Sequence, residues 1–289
     1  MSNAAKLRSL LTSGKMVVAP GAIDCITGRA IDHAGFAAAY MTGAGTSATL
    51  GYPDYGLITM TEMVANAARI VNSIGIPLIS DSDTGYGNEL NMFRTVQEFE
   101  RAGVAAIHIE DQVFPKKCGH LENKELVSRE DYIAKIRAAA AARKSKDFTI
   151  IARTDSRAVV GLDEAIERAN AALANGADVA FVEAPQTMAE IEAVPKRVKG
   201  PCLLNVVRGG KTPEIDLSEA ERMGYAIAIV PGLLLGGIIQ TCDRLLGDLK
   251  QGKFPPVTGS PGKTFARFGA AEWDERRTAF REPLKAAAE

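Results

Sequence analysis

Two short apolar runs in this sequence each end in acid, and a cysteine-bearing loop follows the second. Ile76 to Ser80 leads into Asp81 and Asp83; Val104 to Ile109 leads into Glu110 and Asp111. Alternate residues of an extended segment point the same way, so Asp81 and Asp83 share a side. Carboxylates just past the ends of neighbouring buried strands can share one hard cation. With no His or Cys pair at zinc spacing, oxygen ligands select Mg²⁺ or Mn²⁺. Magnesium keeps several waters, so few carboxylates need touch it. The bland alternative for such acids is helix capping or loop surface charge.

The loop reads Lys116-Lys117-Cys118-Gly119-His120. Cationic neighbours lower a thiol's pKa, so Cys118 is expected to be reactive, and Gly119 lets the backbone approach a ligand closely. Cys118 beside His120 makes a proton donor. Two other chemistries compete: a Schiff-base aldolase on Lys116 or Lys117, and a cysteine nucleophile with His120 as base. The first wants an apolar pocket, whereas this loop is polar and preceded by Pro115; the second needs a carboxylate to orient His120. Cys25, Cys202 and Cys242 read as small buried hydrophobes, and His33 and His108 as structural histidines. Gly43-Ala44-Gly45 resembles a phosphate-cradling loop whose amides could hold a carboxylate, a weak pattern on its own. Arg153 is a bidentate carboxylate clamp, or else an ion-pair partner of Asp155 or Glu183.

Elements must bring these residues together. The chain has 289 residues, 46% of them hydrophobic, a net charge of -1 and a pI near 6.4. That suits one large α/β barrel and gives no basic surface for nucleic acid or an anionic membrane. The four dispersed cysteines point to a reduced, cytoplasmic setting, and no segment reads as a signal or a membrane span. Apolar runs predict eight strands, at 16–19, 37–41, 76–80, 104–109, 149–152, 179–182, 202–206 and 226–230. Helical segments are expected at 22–34, 59–73, 92–102, 129–144, 162–175, 188–194, 217–223 and 233–250. Gly35, Gly75, Gly103, Gly176 and Gly224 follow as C-terminal stops. Strands without polar faces or hairpin signals favour a closed (β/α)8 barrel over an open doubly wound sheet. Thr42, Asp81, Asp83, Glu110, Arg153, Asp155, Glu183 and Asn205 fall at successive strand ends, and a barrel converges them on one face. Residues 1–251 are therefore expected to form the barrel and 252–289 a linker and helical arm, helical from Ala270. The arm's Phe265, Phe268, Trp273 and Phe280 need a surface to cover, such as a partner subunit.

The segments TGAGTSATLGYPD, DSDTGYGN, HIEDQVFPKKCGH, ARTD, VEAP and LLNVV resemble the isocitrate lyase and phosphoenolpyruvate mutase superfamily, in particular its short lyases for 2-methylisocitrate and 2,3-dimethylmalate. HIED followed by KKCGH is the specific signature, and the likeness spans Val17 to about Val230. The resemblance implies an eighth helix exchanged between subunits of a homotetramer, a small carboxylate substrate and Mg²⁺ at the strand ends. It places Tyr40, Thr42, Gly43 and Ala44 on substrate oxygens. Asp54, Asp81 and Asp83 would form the metal site, with Asp83 closest and Glu110 just behind. Lys116 to His120 become a gating loop with Cys118 as catalytic acid, and Arg153, Glu183 and Asn205 complete the pocket. The implied reaction is retro-aldol cleavage of a 2-hydroxy di- or tricarboxylate to a 2-oxo acid such as pyruvate, with Tyr40 a candidate base. Cys118 favours the lyase branch over phosphorus-transferring mutases, which have no carbanion to protonate. Oxaloacetate hydrolysis or decarboxylation, a carboxyvinyl-carboxyphosphonate mutase and a binder without turnover are the alternatives. One departure bears on substrate: the methylisocitrate enzymes carry an arginine five residues past the eighth-strand proline, where this chain has Gly236. A dicarboxylate with an alkyl substituent is expected, unless Arg208 replaces that cation.

Overall fold

A computed structural model describes residues 1–256 and 259–281. Eight strands, β1 (Val17–Ala22), β2 (Ala39–Met41), β3 (Leu78–Asp81), β4 (Ala106–Ile109), β5 (Thr149–Thr154), β6 (Val179–Val182), β7 (Cys202–Asn205) and β8 (Ile227–Val230), pair in parallel and in sequence order. The barrel closes through β1 and β8, from Val17 opposite Ile227 to Pro20 opposite Val230. The chain therefore folds as the closed barrel and not as the open sheet, and all eight expected strands form.

Alternation along each strand sorts the core into layers. Ala19, Tyr40, Ile79, Ala106, Ile151, Phe181, Leu203 and Ile227 pack together inside the barrel. Their neighbours Leu78, Ile107 and Ile150 join the layer beneath the helices. Because strands bury both faces, their sequences read as continuous apolar runs. Each buried side chain such as Ile79 or Phe181 contributes about 1.5–3 kcal/mol.

The helices are α1 (Asn3–Leu11), α2 (Cys25–His33), α3 (Gly43–Thr49), α4 (Met60–Ser73), α5 (Glu89–Arg101), α6 (Arg129–Ala142), α7 (Ser156–Val159), α8 (Leu162–Ala174), α9 (Met188–Arg197), α10 (Leu217–Met223), α11 (Leu233–Lys250), α12 (Pro261–Ala266) and α13 (Ala270–Ala279). Capping sets their starts: Asp24, Thr59 and Asn88 each close a reciprocal capping box. Four of the expected stop glycines, Gly35, Gly103, Gly176 and Gly224, take positive φ. Gly75 instead donates its amide to Asp32 Oδ2 at 2.7 Å. The expected glycine loop at residues 43–45 is helical, because the Thr42 side chain accepts from Gly45 and starts α3. The ninth helix runs through Pro195, past the expected end at Val194.

The chain divides into two compact units, Met1–Ile238 and Ile239 onward, so the division falls inside α11. The second unit holds the rest of α11, then α12 and α13, the last starting at Ala270 as expected. The far end of the expected arm, 282–289, lies outside the described residues. Among the described residues no helix is long and apolar enough to cross a membrane.

Candidate active site

Polar residues occupy the C-terminal strand ends, and the lowest of them form a buried charge network. Asp81 ends β3 and accepts from the Gly43 amide at 3.1 Å through Oδ2 and from the Asp83 amide at 2.9 Å through Oδ1. A Cβ at Gly43 would lie 2.6 Å from Asp81 Oδ2, so this position has room for glycine only. The anion held at the start of α3 is thus the protein's own Asp81. Tyr40, on β2, has its hydroxyl 2.7 Å from His108 Nε2 and donates to Asp81 Oδ2 at 3.4 Å. His108 is a barrel-lining histidine, as expected, stacked on Tyr40 and edge-on to Phe181. Burial holds it near pKa 4 against the pull of Asp81, so it is neutral at pH 7. Asp81 resists burial because His108, Lys116 and Arg153 surround it, and titrates near 2. Asp83, with positive φ at 46°, is pushed by burial to about 6 although Lys116 opposes the shift.

Lys116 is central to this network. Its ammonium lies 2.6 Å from Asp54 Oδ1 and 2.9 Å from Asp83 Oδ1. Burial alone would lower its pKa, but Asp83, Glu110, Asp54 and Asp81 raise it well above the ordinary value. A Schiff-base lysine must lose its proton, so this environment rules against that aldolase chemistry at Lys116. Lys117 spends its ammonium on the Asn123 carbonyl at 3.3 Å and is not brought to the cavity.

Among the described residues no three His, Cys, Asp or Glu side chains converge as a metal-binding group. Of the expected ligands, Asp54 and Asp83 meet around the Lys116 ammonium, and Asp81 accepts from the Gly43 amide. The oxygens present nevertheless fit a hard, hydrated cation. Asp83 Oδ1 and both Glu110 oxygens are buried without an aligned hydrogen bond. These unsatisfied atoms are carboxylate oxygens, the type Mg²⁺ selects.

Above the network lies a cavity of about 160 Å³, lined by Tyr40, Thr42, Ala44, Asp54, Asp81, Cys118, Gly119, His120, Arg153, Glu183, Asn205, Val207, Pro231, Gly232 and Leu235. A cavity of ~150 Å³ takes a ligand the size of benzene, so this one has room for a small acid. Arg153, from β5, pairs with Asp155 at 2.9 Å, Glu110 at 3.2 Å and Glu183 at 3.7 Å, and lies 5.2 Å over the Phe181 ring. Arg153 is ion-paired, as the plainer reading had it, and it lines the cavity as well. Burial raises Glu110 well above the ordinary range despite Arg153. Glu183 is lowered because Arg153 and His120 outweigh its burial, and Asn205 donates to both its oxygens at 3.2 Å.

The loop over this cavity answers two sequence questions. His120 Nε2 lies 3.0 Å from Glu183 Oε1, while Nδ1 accepts from the Lys211 amide at 3.0 Å. The carboxylate that a cysteine hydrolase needs is present, but Nδ1, the nitrogen that could take the Cys118 proton, already accepts from the Lys211 amide, and Nε2 faces Glu183. The thiol itself is shifted upward, first by burial, with Asp54 adding to the rise and the His120 amide opposing it. The expectation of a depressed pKa is corrected: the neighbouring lysines direct their charge to Asp54, Asp83 and Asn123. Gly119 sits against the pocket floor, where a Cβ would come within 2.6 Å of Arg153 Nη2 and Glu183 Cγ.

The sequence gives no sign of Gln112, Lys124 and Arg168, all buried here. Gln112 and Lys124 lie in the segment after β4, and Arg168 on α8. Arg208, the suggested replacement cation, pairs at 3.4 Å with Glu214 on the exposed surface.

Fold and site define an enzyme of the (β/α)8-barrel class with a small carboxylate-rich pocket under a cysteine-bearing loop. The family model for phosphoenolpyruvate phosphomutase matches residues 7–249, and the chain belongs to the phosphoenolpyruvate mutase/isocitrate lyase superfamily. It is 52% identical over 232 residues to 2,3-dimethylmalate lyase of Eubacterium barkeri, covering 80% of both chains. It is 42% identical over 245 residues to 2-methylisocitrate lyase of Aeropyrum pernix, covering 85% of this chain and 79% of that one. Among solved structures, oxaloacetate acetylhydrolase with the inhibitor 3,3-difluorooxalacetate superposes with TM-score 0.94 at 38% identity, over 98% of this chain and 99% of that one. Phosphonopyruvate hydrolase with oxalate and Mg²⁺ gives 0.86 at 29%, over 99% and 100%.

Proposed function

We propose that this chain is a Mg²⁺-dependent carbon–carbon lyase acting on a 2-hydroxy dicarboxylate with alkyl substituents, of the 2,3-dimethylmalate type, releasing a 2-oxo acid such as pyruvate. The observation that carries this reading is a thiol kept protonated by burial in a small cavity whose wall beyond β8 is apolar. Asp83, Asp81 and Asp54 would hold the ion, with Glu110 behind them. Bound there, Mg²⁺ supplies positive charge to the 2-hydroxyl and adjoining carboxylate of the substrate.

The chain's own residues supply the rest. Thr42 and Ala44, which line the cavity at the start of α3, would meet substrate oxygens, the Gly43 amide being given to Asp81, while Arg153 and Asn205 would hold a carboxylate from the opposite side. Tyr40 would take the hydroxyl proton; since burial and Asp81 disfavour its ionised form, its own proton would pass in the same step to His108 Nε2, 2.7 Å away. The bond between C2 and C3 then breaks, its electron pair passing to C3 of the departing carboxylate. Cys118 gives its S–H proton to that carbon, and the resulting thiolate recovers a proton from the one released at the hydroxyl. His120, fixed by Glu183 and Lys211, orients the loop beside the thiol.

Val207, Pro231, Gly232 and Leu235 make the side of the cavity that would meet substituents. A third carboxylate there lacks a cation, since Arg208 faces solvent, and an unpaired buried charge is costly. This favours the dicarboxylate over 2-methylisocitrate. The test is product release with Mg²⁺: pyruvate from 2,3-dimethylmalate and 2-methylisocitrate, and oxalate or pyruvate from oxaloacetate. Turnover of the first, lost in Cys118→Ser, is expected; preference for the tricarboxylate would overturn the apolar-wall argument.

A further inference from the structure

Two side chains that this chemistry leaves unused grip the backbone on either side of Cys118. Gln112 holds the Lys117 residue at both its polar groups: Nε2 donates to the Lys117 carbonyl at 2.8 Å, and Oε1 accepts from the Lys117 amide at 3.0 Å. Lys124 donates to the Gly119 carbonyl and, at 2.8 Å, to Asp155 Oδ1. Between them the Cys118 amide donates to the Asp54 carbonyl at 3.2 Å. The residues before and after the cysteine are thus held by separate groups, and the cysteine's own amide by a third.

The anchors are themselves fixed. Gln112 bridges to Leu126, the Val113 amide donates to the Glu125 carbonyl at 2.8 Å, and the Val127 amide to the Asp111 carbonyl at 2.9 Å. Both gripping side chains spring from this laced neck and reach up to the loop tip. Both are buried, the Lys124 side chain to 2% exposure and its partner Asp155 to 0%. A buried ammonium and a buried amide are expensive fillers compared with apolar side chains of similar size. Here all four of the polar contacts just described go to the loop tip or to the residue beneath it. Asp155 is also the closest partner of Arg153, so Lys124 joins loop to pocket floor through one carboxylate.

We propose that Gln112 and Lys124 are positioning residues for Cys118, clamping residues 117–119 so that the thiol faces the carbon it protonates. The inference rests on the reading of Cys118 as the acid. A displacement of the donor by about 1 Å is enough to lower turnover by ~10²-fold.

The test combines kinetics with a readout independent of turnover. In a Cys25→Ser, Cys242→Ser background, iodoacetamide alkylation of Cys118 is followed by mass spectrometry for Lys124→Met and Gln112→Met, with near-ultraviolet circular dichroism confirming the fold. Release of the clamp is expected to speed alkylation by about tenfold and to lower kcat by ~10–100-fold while KM moves less than about threefold. Gln112→Glu, which keeps the acceptor for the Lys117 amide but loses the donor, should fall between. If Lys124→Met does not fold, the glutamine variants decide alone. Unchanged alkylation in the folded variants overturns the clamp, even where Cys118→Ser is inactive. If Cys118→Ser turns over normally, the acid reading falls instead, and faster alkylation would still establish the clamp.

Discussion

The proton that ends the cleavage must come from a group still carrying one, and burial of Cys118 provides for that. Serine in its place cannot donate as readily at neutral pH. Cys118→Ser is expected to lose ~10²–10⁴-fold in kcat, with stability within about 0.5 kcal/mol of wild type; turnover within tenfold of wild type would end the acid role. The sequence invited the opposite pKa, because adjacent lysines normally depress a thiol. What it did not show was where their ammonium groups go. Lys116 is spent on Asp54 and Asp83, so Lys116→Met strands two partly or fully buried carboxylates. Loss of one partner of a buried pair costs about 3–5 kcal/mol. The variant should therefore melt earlier than wild type in EDTA, and added Mg²⁺ should restore part of the loss; a Mg²⁺-insensitive melting curve would remove these aspartates from the metal site.

At the scale of elements, strand order and the seating of one loop decide the site. The strands were legible because parallel strands buried on both faces leave unbroken apolar runs, and their ends were legible because polar residues start where the barrel stops. Short helices were not: α3 has too few apolar positions to show a period, and its start depends on Thr42 capping a glycine-rich turn. The buried clamps Gln112 and Lys124 were equally silent, since a loop has no periodicity to betray which polar residue turns inward. Gly119 shows how tightly the loop seats. A methyl there meets Arg153 and Glu183 at 2.6 Å, so Gly119→Ala should lower kcat/KM by at least ~10²-fold with little change in melting temperature; full activity would mean that the loop does not close as described.

The segment leading into that loop also stores a pH dependence. Asp111 is pushed to about 6 by burial and by Asp155, against the Thr154 hydroxyl and Arg168. Its folded value lies above its unfolded value of about 3.9, so the native state binds the extra proton between them. Stability from this group is fully present below about pH 4 and is lost as pH rises through 6. Asp111→Asn removes that loss, and urea unfolding at pH 4.5 and 7 should show a flatter pH dependence than wild type. Parallel pH profiles for the two proteins would contradict the burial argument.

For the whole molecule, α11 raises the question of what covers it. This helix carries Leu233, Ile238, Ile239, Leu246 and Leu249, each at least 40% exposed, and none of its residues is buried. That many half-exposed apolar side chains do not stay in water at no cost: each one covered recovers about 1 kcal/mol, roughly half the value for a fully exposed side chain. A helix of the same chain in another subunit, exchanged around a two-fold axis, offers a matching apolar surface, because such interfaces place one patch against its own copy. The homotetramer that the sequence resemblance implies would be built in this way. Ile239→Glu with Leu246→Glu places charge in that surface without touching the cavity. Light scattering should then report a smaller particle than wild type, and truncation after residue 263 should shift it in the same direction if the arm also packs across subunits. If the double variant keeps its mass, α11 is not the joining element, and its exposed leucines and isoleucines require another cover.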